Sequence, residues 1–399
     1  MLTGRSHQAF LYHGRGRAEV IRVPTEVPAR GGILVAFSIV GVCGTDLDIL
    51  RGARDDDPGV PGHEGVARVV MSASERFACG RMLAFNPVSA TDQRRILGHT
   101  FPGLWQQMRN VTADELDQGL LTPCAANICP YVGTLIEPLG TVIYGLDLVL
   151  RRLRPTIVVI IGGGVIGLLY ALEARRRGVS SVLLLNTSRA RLQWAVEHNI
   201  VSESEAIEVD PSSKQLTGAL QDFREVADAV FLCVPRQSAL AMLAIGVELL
   251  RPGGVIDLVG GIVDGDHSDV LPGADLNAIR RANVRGRPRA GCDLPVRTAN
   301  GKPIYLTGHR GTGVNHLCDA MKALAAMPAY YARLITHIVP LIRAPDILYQ
   351  VLRDESRQLI GRHRVKIVLD VNGTELEPYA FGRHSGSLQA RGGDPENAH

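Results

Sequence analysis

The run Ile157-Val-Val-Ile-Ile161, followed at once by Gly-Gly-Gly-Val-Ile-Gly167, constrains this chain more than any other feature. Five β-branched residues in a row suit a strand buried on both faces. The uncharged stretch Thr156–Leu172 approaches membrane-spanning length, but the glycines break it, so a strand turning into a helix is expected instead of a span. Gly162, Gly164 and Gly167 have G-x-G-x-x-G spacing, with Val165 and Ile166 between the last two. In that pattern Gly162 permits a tight turn and Gly164 lets the backbone approach a pyrophosphate. Gly167 lets the helix pack on its strand, and the helix N-terminus favours the anion. An ordinary glycine turn would explain neither the helical run through Arg177 nor the second strand, Ser181–Leu185.

That second strand ends in Asn186-Thr187-Ser188-Arg189, with Arg191 just after. A carboxylate there would bond a ribose 2′-hydroxyl, whereas an amide, hydroxyls and guanidinium groups suit a 2′-phosphate. Asn186, Ser188 and Arg189, with Gly162, Gly164, Val165, Ile166 and Gly167, are therefore the expected cofactor-binding set, and NADP is favoured over NAD. The alternative is that both arginines are simply the solvated first turn of a helix.

Ala229–Val234 and Gly254–Val259 read as further buried strands with the helical run Ser238–Leu250 between them, so βαβ units and a parallel sheet are expected. The N-terminal part is dense in glycine, proline and short β-rich runs such as Gly32–Val40 and Gly65–Val70. Beyond Leu306 come an amphipathic stretch, Asn315–Ala326, then Leu334–Pro340, a helical Asp346–Arg353 and a closing strand, Val365–Val371. The polar, glycine-rich end of the chain, 380–399, is expected to be disordered.

A chain of 399 residues suits two domains, and 46% apolar with 21% charged residues suits a globular protein with a core. A formal charge of +3 argues against nucleic acid or an anionic membrane as partner. Seven scattered cysteines, and no apolar leader in the first residues, point to a reducing, cytoplasmic location.

Cys43, Thr45, Asp46 and Asp48 stand in Val-Cys-Gly-Thr-Asp-Leu-Asp; His63 and Glu64 follow in Pro-Gly-His-Glu-Gly, and Glu137 in Ile-Glu-Pro-Leu-Gly. A thiolate, an imidazole and one or two carboxylates make a tetrahedral zinc site with an open position. Zinc there would polarise an alcohol or carbonyl oxygen. Singly, each residue has a plainer reading: a packed thiol, or a surface or capping pair.

Together, GVCGTDLDI, PGHEG, EPLGTVIYG and IGGGVIG resemble the medium-chain, zinc-dependent alcohol dehydrogenase superfamily, closest to its sorbitol- and threonine-dehydrogenase-like branches. The resemblance implies an α/β protein: a GroES-like, β-rich catalytic domain from 1–138 and 310–379, and a Rossmann domain with a doubly wound parallel sheet from 139–309. It implies one catalytic zinc per chain, held by Cys43 and His63, with Glu64 binding or exchanging with water at the metal. Glu137 matches the remaining ligand or a carboxylate holding metal-bound water. Thr45 matches the hydroxyl that takes the substrate's proton, and Asp46 a residue supporting the site from behind. Asp48 stands where the family often has a histidine extending the proton relay. A small-molecule alcohol or ketone, of the polyol, sugar or cyclitol type, is the implied substrate, and a homo-oligomer (dimer or tetramer) the implied assembly.

Two further departures stand out. The cysteine-rich lobe for a structural zinc is missing, and Cys124 and Cys129 are read as packing residues. The segment from Arg285 to Arg310, with Arg287, Arg289, Arg297, Lys302 and His309, is long and basic. It reads as a solvated loop or subunit contact, with an anion cradle as the alternative. Two rival functions stay open: a zinc-free reductase of the quinone or enoyl type, and a non-catalytic NAD(P)-binding protein.

Overall fold

The computed structural model describes residues 5–385, apart from 15, 126–127, 211, 213–215, 217, 289–292 and 355. It divides into two compact units, Met1–Glu137 with Ala320–His399, and Pro138–Asp319.

The first unit is β-rich. An antiparallel sheet runs in the order Met108–Val111, Ile33–Ala36, Val66–Ser72, Met82–Phe85, Leu121–Pro123. A second sheet joins the two ends of the chain. Ile39–Gly41 pairs antiparallel with Lys366–Asp370, which lies parallel to Ile335–Pro340, with Glu377–Pro378 outside. Phe10, Ile33, Leu83, Trp105, Leu348 and Leu369 share one apolar core, so both chain ends are needed to bury it. Straight after Ile39–Gly41 comes a short helix, α1 (Gly44–Leu50), with Cys43 as its extended N-cap residue.

The second unit carries β1 (Ile157–Ile161), α2 (Val165–Arg176), β2 (Ser181–Asn186), α3 (Arg189–Glu197), β3 (Ala206–Glu208), β4 (Ala227–Leu232), α4 (Ala239–Leu249), β5 (Leu250–Asp257), β6 (Asp293–Arg297) and β7 (Pro303–Thr307). The sheet order is β3-β2-β1-β4-β5-β7-β6. All neighbours are parallel except β6, which turns back antiparallel along β7. Setting β6 aside, this is the doubly wound order 3-2-1-4-5-6, whose switch point lies between β1 and β4. On one face α4 packs on alternate residues Val159, Ile161, Val230, Leu232 and Ile256. On the other, Tyr170 of α2 stacks on Phe231, with ring centroids 4.3 Å apart.

Three elements differ from expectation. β5 begins at Leu250, ahead of Arg-Pro-Gly-Gly, because pairing with β4 starts there, bulges out through Gly253 at φ +76°, and resumes at Val255. The stretch after Asp293, expected as a loop, is a hairpin that widens the sheet. Helix Phe381–Ser385 occupies the start of the expected disordered tail, and 386–399 lie outside the described residues. No helix among the described residues is long and apolar enough to cross a membrane.

Candidate functional site

Asp46 sits at the third position of α1 and turns its carboxylate back on the helix start. Its Oδ2 accepts from the Cys43 N–H at 2.8 Å, satisfying a backbone donor that the helix leaves unpaired. Its Oδ1 accepts from the Gly62 N–H at 3.3 Å and lies 3.6 Å from His63 Nδ1. One buried carboxylate thus ties the Cys43 turn to the segment that carries His63 and Glu64.

Cys43, His63 and Glu64 converge, each offering a ligand atom within 4.8 Å of the others. His63 is 5% exposed and Glu64 2%. The Nδ1 of His63 is buried and has no hydrogen-bond partner among the described residues. Burial pushes the Asp46 carboxyl up to about 6, with His63 pulling against it. For His63, burial opposes the charged ring, but Asp46, Cys43 and Glu64 outweigh it and raise the group to about 10. These surroundings favour positive charge, and a thiolate, an imidazole and a carboxylate are the donor set zinc takes. The residues fit a zinc ion.

Thr45 Oγ1 lies 3.6 Å from Cys43 Sγ. Asp48, further along α1, is half-exposed and pairs with Arg51 at 3.0 Å. Burial raises its carboxyl above the usual range, with Arg51 and Arg54 opposing. Glu137 is half-buried in the first turn of helix Ile136–Arg152 and belongs to neither group of converging donors among the described residues.

Two side chains escaped the sequence reading. Lys366, 1% exposed, places Nζ on Glu64 Oε2 and donates to the Val42 carbonyl at 3.0 Å. The available signal was a lone lysine inside an apolar closing strand. His99 joins Asp46 and His63 in a second converging group. Nothing in Leu-Gly-His-Thr-Phe marks it beforehand.

The glycine loop lies at the carboxyl end of β1, at the switch point. Gly162 adopts φ +115°, and a Cβ there would overlap the Cys233 carbonyl just beyond β4. A Cβ at Gly167 would overlap Gly162 O, whereas one at Gly164, the N-cap of α2, would meet no protein atom. Gly162 and Gly167 hold the turn, and Gly164 leaves open space at a twelve-residue helix's positive end, as a pyrophosphate requires. Asn186 closes β2, with Nδ2 3.4 Å from Ser188 O. Ser188 caps α3 without a side-chain bond, Arg189 is exposed and Arg191 half-exposed. The residues fit a dinucleotide. Gly167→Ala is expected to displace the loop and weaken NAD(P)H binding tenfold or more in a fluorescence titration; unchanged affinity would place the cofactor elsewhere.

The basic segment makes no single anion cradle among the described residues. Lys302 is buried, and its Nζ donates to Val247 O at 2.7 Å and Leu250 O at 2.8 Å, capping the end of α4. His309 is buried beside Asp257 and Tyr170. Arg297 bonds Gly301 O within its own hairpin. Burial and then Arg287 lower Arg285 to about 10. Arg289 lies outside the described residues. Cys124 is buried and Cys129 half-buried, as packing residues would be.

Residues 29–118 match the alcohol dehydrogenase GroES-like domain. Among curated relatives, D-altritol 5-dehydrogenase of Agrobacterium fabrum is 27% identical over 60% of this chain and 74% of its own. L-threonine 3-dehydrogenase of Pyrococcus furiosus is 24% identical over 61% and 72%. Among solved structures, a zinc-binding dehydrogenase from Sinorhizobium meliloti bound to NADP aligns with a TM-score of 0.66 at 20% identity, over 92% of this chain and 99% of that one. The β-rich unit thus contains a GroES-like domain, and the other a Rossmann-like parallel sheet. The chain is similar, in its GroES-like segment and in its curated relatives, to dehydrogenases of the medium-chain, zinc-type alcohol dehydrogenase superfamily.

Proposed function

We propose that this chain is a zinc-dependent dehydrogenase that moves a hydride between NADP and a secondary alcohol or its ketone, with polyols, sugars and cyclitols as the substrate class. The observation that carries the proposal is the convergence of Cys43, His63 and Glu64 in a chain that also holds a dinucleotide loop at the switch point of a doubly wound sheet. When bound, zinc supplies a Lewis acid for the substrate oxygen and NADP a hydride acceptor.

The chain's own groups do the rest. Cys43, His63 and Glu64 would hold the ion, with the Glu137 carboxylate as a further candidate ligand from the first turn of its helix. Asp46 fixes His63 and the Cys43 turn together. Thr45 Oγ1, beside the Cys43 sulfur, takes the hydroxyl proton in the oxidation direction and gives up its own. Asp48, partly exposed and one turn away, leads that proton towards solvent.

The polyol class is supported by relatives such as the altritol dehydrogenase, and NADP by the absence of an acid at the end of β2. The test is a panel of polyols, cyclitols and simple alcohols with each cofactor, followed by the absorbance of reduced nicotinamide. Turnover on the polyols with NADP is expected; activity confined to quinones or enoyl compounds, without zinc, would overturn the proposal. Arg189→Ala is expected to weaken NADPH binding about tenfold, the loss of one charge-assisted phosphate contact, and to spare NADH. Tighter NADH binding in the wild type would contradict the NADP assignment.

A further inference from the structure

We propose that His99 is a positioning residue of the metal centre, which with Asp46 packs against His63 and sets that ring for zinc. The inference rests on the zinc reading above. Asp46, His63 and His99 are all buried, and their ligand atoms lie within 4.8 Å of one another. The two imidazoles meet edge to face, with centroids 5.0 Å apart and planes at 65°.

A histidine that binds metal through one nitrogen needs a partner for the other, which fixes its tautomer and its orientation. Asp46 only half meets that need. Its Oδ2 is engaged by the Cys43 N–H, its Oδ1 by the Gly62 N–H, and 3.6 Å to His63 Nδ1 exceeds a hydrogen bond. The His99 ring adds nitrogens that can donate or accept at this spot, and its edge-on contact restricts rotation of His63.

The backbone is built to bring His99 there. Gly62 adopts φ +92°, and a Cβ at Gly98 or Gly103 would overlap its carbonyl. Gly103 N–H donates to Val60 O at 2.6 Å, Leu104 N–H to Gly62 O at 2.9 Å and Trp105 N–H to Pro61 O at 3.1 Å. The Trp105 indole bonds Gly41 O at 3.0 Å. The loop carrying His99 is thereby fastened to the residues leading into His63, and its tip has little freedom to withdraw.

The test uses the full chain, zinc-loaded, with His99→Phe, which keeps a ring edge but no nitrogen, and His99→Asn, which keeps a polar group but no ring. Zinc transfer to a chromogenic chelator and the visible spectrum of the cobalt-substituted protein are the readouts. His99→Phe is expected to lower zinc affinity about 10- to 100-fold and to shift the cobalt bands, with His99→Asn in between. If His99→Phe does not fold, His99→Asn alone must show a loss of affinity and a shifted spectrum. Wild-type affinity and spectrum in the folded variants would overturn the role of His99 while leaving the zinc site intact. A wild-type protein that takes up neither zinc nor cobalt would overturn both.

Discussion

Cys43→Ser is expected to lower NAD(P)-linked turnover about 1,000-fold and to leave dinucleotide affinity unchanged. A serine hydroxyl stays protonated near neutral pH and is a poor zinc ligand, so one of three converging donors is lost. Lewis-acid stabilisation of the substrate oxygen is worth several kcal/mol, and each 1.36 kcal/mol is tenfold in rate. The fold has little at stake, because α1 is capped through the Cys43 backbone N–H and Asp46, which the substitution keeps. The glycine loop belongs to the other unit, so NAD(P)H fluorescence should titrate as in the wild type. Turnover within tenfold of the wild type would show that Cys43 is not a zinc donor.

Lys366→Met should produce the largest loss of stability. Its ammonium and the Glu64 carboxylate are both buried, and the replacement keeps the apolar stem while leaving Glu64 uncompensated. Breaking such a pair from one side costs about 3–5 kcal/mol. In chelator-treated protein the denaturation midpoint of the catalytic domain should fall accordingly. Glu64→Gln with Lys366→Met should recover at least half, since the penalty lies in the stranded charge and not in the lost contact. Added zinc should narrow the gap between Lys366→Met and wild type, because the ion supplies the missing positive charge. A single variant as stable as the parent would mean that Glu64 does not depend on Lys366.

The parts of this architecture that are local in sequence could be read in advance. The glycine loop announces itself because strand, turn and helix follow within twenty residues, and Cys43, His63 and Glu64 because each motif is short and chemically loaded. Lys366 could not be assigned, since its meeting with Glu64 depends on the closing strand pairing with Ile39–Gly41 at the other end of the chain. His99 carries no pattern, as a histidine in a glycine-flanked loop looks the same whether or not it faces another imidazole. The hairpin of β6 and β7 hid behind Pro295 and Pro303, which argue against a central strand. Here Pro295 sits on the outermost strand and Pro303 at a strand start, the places a sheet tolerates proline. Arg-Pro-Gly-Gly misled in the opposite sense, because its turn is a bulge inside β5.

Metal content tests the central claim most directly. Elemental analysis of the full chain, purified without chelator and set beside Cys43→Ser, should give about one zinc per wild-type chain and a marked loss in the variant. Well-folded wild-type protein without zinc, or a Cys43→Ser protein that retains it, would contradict the assignment of Cys43, His63 and Glu64 as the catalytic metal site.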